Sequence, residues 1–86
     1  MQINDLLILL IEECAEVQKA STKCLRFGFE HEEPFYGKND EVLACEVGDL
    51  LGVIDELLKH LDSNIISAYR HDKVNKAEKL FKKFNP

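Results

Sequence analysis

Five carboxylates lie at helical spacing inside strongly apolar sequence: Glu12, Glu13 and Glu16 in the run EECAE, and Glu46 with Asp49 in the run EVGD. Residues three or four apart on a helix share a face, with side chains about 5–6 Å apart. Acids held that close in a half-buried place raise one another's pKa and destabilise the fold. A hard divalent cation with oxygen ligands removes that penalty, and Mg²⁺ bound by carboxylates keeps waters free for a phosphate substrate. The acids therefore constrain the fold to helices that converge on a cation, and they point to metal-dependent phosphate chemistry.

The 86 residues hold a single domain, residues 1–86. A domain of this size buries only about 60–65% of its unfolded surface. Apolar residues nevertheless make up 45% of the chain, and several helical segments are apolar around most of their circumference. Burial beyond one small core is implied, so a homo-oligomer is expected, a homodimer or a dimer of dimers. The formal net charge of −5 argues against a nucleic acid polymer or an anionic membrane as partner, since phosphate backbones are held by clustered Lys and Arg. An anionic ligand here needs a metal.

Cys14, Cys24 and Cys45 form no CxxC pair and are odd in number. Disulfide scaffolds are cysteine-dense, so a reduced, cytoplasmic chain is expected, with the thiols buried as small hydrophobes. The apolar run Leu6 to Ile11 is shorter than a typical signal-peptide core, has no basic leader and runs into Glu12 and Glu13. It reads as neither a signal peptide nor a membrane span.

Asn4 can cap a first helix running to about Phe27 and ended by Gly28. Residues 28 to 40, with Gly, Pro, Asn and charge, read as a loop. Asn39 or Asp40 caps a second helix reaching about Leu61, and Ser63 caps a third that continues to about Phe84. No segment sustains the alternation of a strand. The expected fold is all-α, a small helical bundle of about three main helices completed by oligomerisation.

At about 100° per residue, Glu12, Glu13, Glu16, Lys19 and Lys23 fall on one stripe of the first helix. Leu6, Leu7, Leu10, Cys14, Val17 and Leu25 fall on the other side. On the second helix Glu46 lies inside the apolar face of Val42, Leu43, Leu50, Val53 and Leu57, with Asp49 at its margin. On the third, Ile66, Tyr69, Ala77, Leu80, Phe81 and Phe84 form a packing stripe that contains Lys73. A solvated charged patch accounts for EECAE alone, but Glu46 in the middle of an apolar face is not freely solvated. Antiparallel packing of the first two helices brings four or five acids into one cleft.

EECAE followed by EVGD resembles the EExxE and ExxD signature of the MazG-like, all-α nucleoside triphosphate pyrophosphohydrolases. The resemblance extends through KCLRFG after the first motif and DLLGVIDELL after the second. It implies Mg²⁺-dependent hydrolysis of a nucleoside triphosphate between the α and β phosphates, giving a monophosphate and pyrophosphate, with Mn²⁺ as a substitute. Carried over by position, the metal ligands are Glu13, Glu16, Glu46 and Asp49. Glu12 is an outer-shell acid or helper of the attacking water, and Glu12 and Glu16 are the expected catalytic acids. Fuller members carry a further helix and a basic segment, so a neighbouring subunit is expected to complete the site. The nearest basic match here is AYRHDKVNKAEK.

Lys19, Lys23, Lys73 and Lys76 are the candidates for phosphate contacts. Phe29, Phe35 and Tyr36 in the loop offer faces on which a base stacks, although loop aromatics more often anchor the loop itself. His31, His60 and His71 are not paired at i,i+4, and no phosphate-cradling GxxxxGK[ST] loop is present. The alternative from another class is a non-catalytic helical metal-binding or protein-interaction module.

Overall fold

The computed structural model describes residues 1–85 and is all-α. Helix α1 spans Ile3–Phe27, α2 spans Asn39–Leu57 and runs on into a 3-10 turn at Leu58–His60, and α3 spans Ser63–Phe84. The connection between α1 and α2 contains a two-residue antiparallel ladder, β1 (Glu32–Glu33) with β2 (Gly37–Lys38), pairing Glu32 with Lys38 and Glu33 with Gly37. The loop expected there is thus a short hairpin. Its turn holds Phe35 at φ 75° and Gly37 at φ 90°, the left-handed backbone that reverses a chain in so few residues.

Facing positions on α1 and α2 repeat with heptad spacing. Leu6, Glu13 and Ala20 form one series on α1, and Leu10, Val17 and Cys24 form another. On α2 Asn39, Glu46 and Val53 alternate with Leu43, Leu50 and Leu57. All twelve are buried or half-buried, which is how two helices joined by a tight hairpin close on one seam. Leu6, Ala20, Cys24 and Leu57 are the buried apolar residues, so the core is a thin line between two helices.

Asn39 fastens the hairpin end. It is only 3% exposed, and its Nδ2 donates to the carbonyls of Lys23 at 3.3 Å and Gly28 at 3.0 Å. Its backbone N–H donates to His31 O, and its carbonyl accepts from Cys24 Sγ. The last carbonyls of α1 need such partners, because a helix end has no internal donors for them. Asn39 is therefore the first residue of α2 turned inward, and Lys38, whose side chain pairs with Glu30 and makes no capping bond, holds the cap position expected of Asn39 or Asp40. At α3 the cap is Asp62 rather than Ser63. Its carboxylate accepts from the N–H groups of Asn64 and Ile65.

α3 differs from the pair. It makes little contact with α1 or α2, and of the stripe expected on it only Ile66 and Ala77 are half-buried; Tyr69, Leu80, Phe81 and Phe84 are exposed. The structure measures 40 × 40 × 14 Å, hardly thicker than one helix. Its radius of gyration is 15.8 Å, against about 12 Å for a compact domain of this length. Burial also departs from expectation on α1, where Leu7, Cys14 and Leu25 are exposed, as is Cys45 on α2. Each of these sits beside the seam, and no second layer of helix covers that side. Cys24 alone of the three thiols is buried, and all three are free. No helix among the described residues is long and apolar enough to cross a membrane.

Candidate metal centre and adjoining cleft

The seam carries one acidic layer. Glu13 from α1 meets Glu46 from the facing position on α2, and Asp49, one turn further along α2, joins them from the rim. One carboxylate oxygen from each lies within 4.8 Å of the others. Glu13 and Glu46 are half-buried and Asp49 is exposed. The projection of α1 placed Glu13 on a polar stripe opposite the core; it belongs to the packed face, seven residues from both Leu6 and Ala20.

Removal from water raises the Glu13 carboxyl above the ordinary carboxylate range, and the charges of Asp49, Glu46, Glu16 and Glu12 raise it further, in that order. All five acids of the two motifs thus act on one point. A Mg²⁺ ion takes oxygen ligands at about 2.1 Å, which separates opposite ligands by about 4.2 Å. Three carboxylate oxygens within 4.8 Å, with no nitrogen or sulfur among them, suit such an ion and leave positions for water and substrate. The donor set therefore fits the cation that the acidic motifs imply.

Beside this layer and sharing Glu46 with it is a cleft of about 170 Å³. α1 contributes Glu16, Lys19, Ala20 and Lys23, the hairpin contributes Glu33 and Tyr36, and α2 contributes Asn39, Val42 and Glu46. Glu16 faces this cleft and is not among the three clustered carboxylates, whereas Glu12 is exposed on the outer flank of α1. Lys19 is exposed at the cleft. Lys23 is half-buried, its Nζ 3.1 Å from Glu33 Oε2 and 5.9 Å from the centre of the Tyr36 ring. Its charge is already matched, so it is a weaker phosphate group than its position in the sequence suggests.

Lys73 and Lys76 do not reach the cleft of their own chain. Both lie on α3, where Lys76 pairs loosely with Asp72 at 4.0 Å and covers the Tyr69 ring. Of the three loop aromatics, Tyr36 alone lines the cleft; Phe35 is fully exposed and Phe29 largely so. Sequence reasoning missed Glu33 and Asn39. Asn39 was visible only as a cap, and the Glu33–Lys23 pair spans ten residues across a turn whose geometry no periodicity announces.

No protein-family model, curated protein or solved structure matches the chain.

Proposed function

We propose that the chain is a Mg²⁺-dependent nucleoside triphosphate pyrophosphohydrolase of the MazG-like, all-α kind, hydrolysing the bond between the α and β phosphates to give a monophosphate and pyrophosphate. The observation that carries this reading is the convergence of Glu13, Glu46 and Asp49 between two helices beside an open cleft. Those residues belong to the EExxE and ExxD runs whose resemblance implies the reaction. Bound there, Mg²⁺ or Mn²⁺ would polarise the α-phosphate and lower the pKa of an attacking water.

The protein's own part is positioning and charge. Phosphoryl transfer asks for an in-line water and neutralised phosphoryl oxygens. Glu13, Glu46 and Asp49 would hold the cation, Glu16 extends the acidic wall into the cleft, and Glu12, exposed on α1, would act on water only from the solvent side. Lys19 meets the phosphates at the cleft rim. Free thiols and the absence of a membrane-crossing helix among the described residues accord with action in the cytoplasm.

The cation missing from one chain is supplied by a second copy. Residues 1–62 hold fourteen acids against five Lys or Arg, whereas Ser63–Phe84 holds six Lys or Arg against two acids. α3 also exposes Tyr69, Leu80, Phe81 and Phe84. A basic, apolar helix facing outward and an acidic helix pair with exposed Ile8, Ile11 and Leu51 are complementary surfaces. Docking α3 on the partner's helix pair would carry Lys73 and Lys76 towards the partner's phosphates. Light scattering is expected to give a multiple of 9.9 kDa; a monomer at micromolar concentration contradicts it.

The functional test is pyrophosphate release from a panel of ribo- and deoxynucleoside triphosphates, with and without Mg²⁺, for the natural protein and Glu46→Gln. Turnover is expected only with metal and only in the natural protein. Release that survives in metal-free buffer, or in the variant, overturns the reading.

A further inference from the structure

We propose that Glu33 competes with the phosphates of the substrate for Lys23, so that the triphosphate binds only as this lysine leaves the hairpin. The inference rests on the pyrophosphohydrolase reading for the identity of the anion. It rests on the cleft itself for the competition.

Two lysines of α1 line the cleft, and only one of them is free. Lys19 and Lys23 stand four residues apart, about 6 Å along the axis at 1.5 Å per residue. Lys19 is exposed and enters no ion pair among the described residues. Lys23 is clasped by the hairpin, its Nζ 3.1 Å from Glu33 Oε2 and 5.9 Å from the centre of the Tyr36 ring. Glu33 and Tyr36 are the first and last residues of one turn, closed by the Tyr36 N–H donating to the Glu33 carbonyl at 3.2 Å. One turn thus holds one ammonium from two sides.

The clasp adds little to the fold. The base of the hairpin is fixed by Asn39 Nδ2, which donates to the carbonyls of Lys23 and Gly28. The N–H groups of Asn39 and Asp40 donate to His31 O and Phe29 O, and Glu33 pairs with Gly37 through the backbone. None of these bonds uses the Lys23 side chain. The two partners keep 32% and 25% of their side-chain exposure, and an ion pair so open to water contributes little to stability. A contact that the fold can spare, and that occupies a cation where an anion must bind, acts on binding.

The exchange is within reach. Helical side chains tilt towards the helix N-terminus, which for Lys23 is the direction of Lys19, Glu16 and the metal layer. Its ammonium sits on a flexible stem with three donors that reorient. A polyphosphate offers several anionic oxygens against one carboxylate, so it wins the lysine. Glu33 is then an unpaired acid in a half-buried place, and the pair re-forms as pyrophosphate departs.

The test is calorimetric titration of pyrophosphate, at saturating Mg²⁺, into the natural protein, Glu33→Gln, Lys23→Ala and the double variant. The KM for nucleoside triphosphates is the second readout. Glu33→Gln is expected to bind pyrophosphate roughly 2- to 5-fold tighter, the range set by freeing one exposed ion pair, and to lower KM by a similar factor. In the Lys23→Ala background the same change should gain much less, because the effect runs through the pair. A tightening that persists undiminished without Lys23 is plain repulsion by Glu33 and overturns the competition. Unchanged or weaker binding in Glu33→Gln, as for a pair that merely fastens the hairpin, overturns it too and leaves the pyrophosphohydrolase intact where triphosphates are turned over. No turnover of any triphosphate, with Glu33→Gln still tighter only when Lys23 is present, supports the competition and overturns the enzyme. Failure of all four proteins to bind pyrophosphate overturns the competition.

Discussion

The α1–α2 pair and α3 are built from sequence of similar helical character and end in opposite conditions. The pair closes on a seam of heptad-spaced side chains and is fastened at one end by Asn39. α3 is as regular a helix, 22 residues with a carboxylate cap at Asp62, yet no residue in it is buried. The hairpin accounts for the difference. It returns the chain antiparallel across residues 28 to 38, so α1 and α2 lie side by side. The break at Leu61 and Asp62 gives α3 no such return. Helical propensity and capping therefore make the helix, but connection and complementary surface decide whether it packs, and the clustered carboxylates lie where two helices meet.

The comparison breaks first at the acids. Asp49→Asn removes one of the three clustered oxygens and is expected to lower kcat/KM by more than about 100-fold, the upper range for merely outer-shell changes at metal sites. Lys76→Ala on α3 should cost far less, because a phosphate contact from a flexible lysine is one among several. Steady-state kinetics of the two variants that show equal losses would place α3 at the centre of the chemistry and contradict the division drawn here.

A second test measures the strain stored in the seam. Mg²⁺ at about 100 times its dissociation constant should add roughly 2.7 kcal/mol of stability. Glu13→Gln is expected to raise the melting temperature without metal, since it removes one repelling charge, and to abolish the Mg²⁺-induced increase. Equal Mg²⁺ responses in thermal melts of the two proteins reject the site. The pH dependence carries the same sign. Glu13 titrates above its unfolded value, so in the window between the unfolded and folded pKa the native state holds more protons. Metal-free stability should therefore fall as pH rises through that window and level off above it. Mg²⁺ affinity should move the other way, weakening as pH falls and Glu13 takes up its proton.

The seam's fastening gives an intermediate effect. Asn39→Ala leaves the carbonyls of Lys23 and Gly28 without their buried donor and should cost roughly 1–3 kcal/mol in urea unfolding. Its counterpart on α3 is the exposed Lys76–Asp72 pair at 4.0 Å. Breaking that pair should change stability by less than about 0.5 kcal/mol.

Much of this was legible in the sequence, for reasons that differ by residue. The three helices and the break near Asp62 follow from periodicity, which is local, whereas the caps fall on Gln2, Lys38 and Asp62 rather than on Asn4, Asn39 or Asp40, and Ser63. Glu46 could be placed in the packed face because its neighbours Leu43, Leu50 and Leu57 leave it nowhere else. Glu13 was assigned to the wrong side of α1, because that helix is apolar around so much of its surface that projection alone does not choose a face. The partner chose it: α2 offers one seam, and α1 turns Leu6, Glu13 and Ala20 into it. Cys14 and Leu25, apolar but off that seam, were expected inside and lie outside for the same reason. Glu33, Tyr36 and Asn39 came together only through the turn at Phe35 and Gly37, a non-local event with no periodic trace.

The central claim is that the carboxylate layer between α1 and α2 directs water to the α–β bond of a nucleoside triphosphate. Phosphorus NMR of the reaction mixture with Mg²⁺ tests it most directly, since each product has its own resonance. Pyrophosphate and a nucleoside monophosphate rising together in equal amounts is the predicted result. Orthophosphate appearing with a nucleoside diphosphate would contradict it.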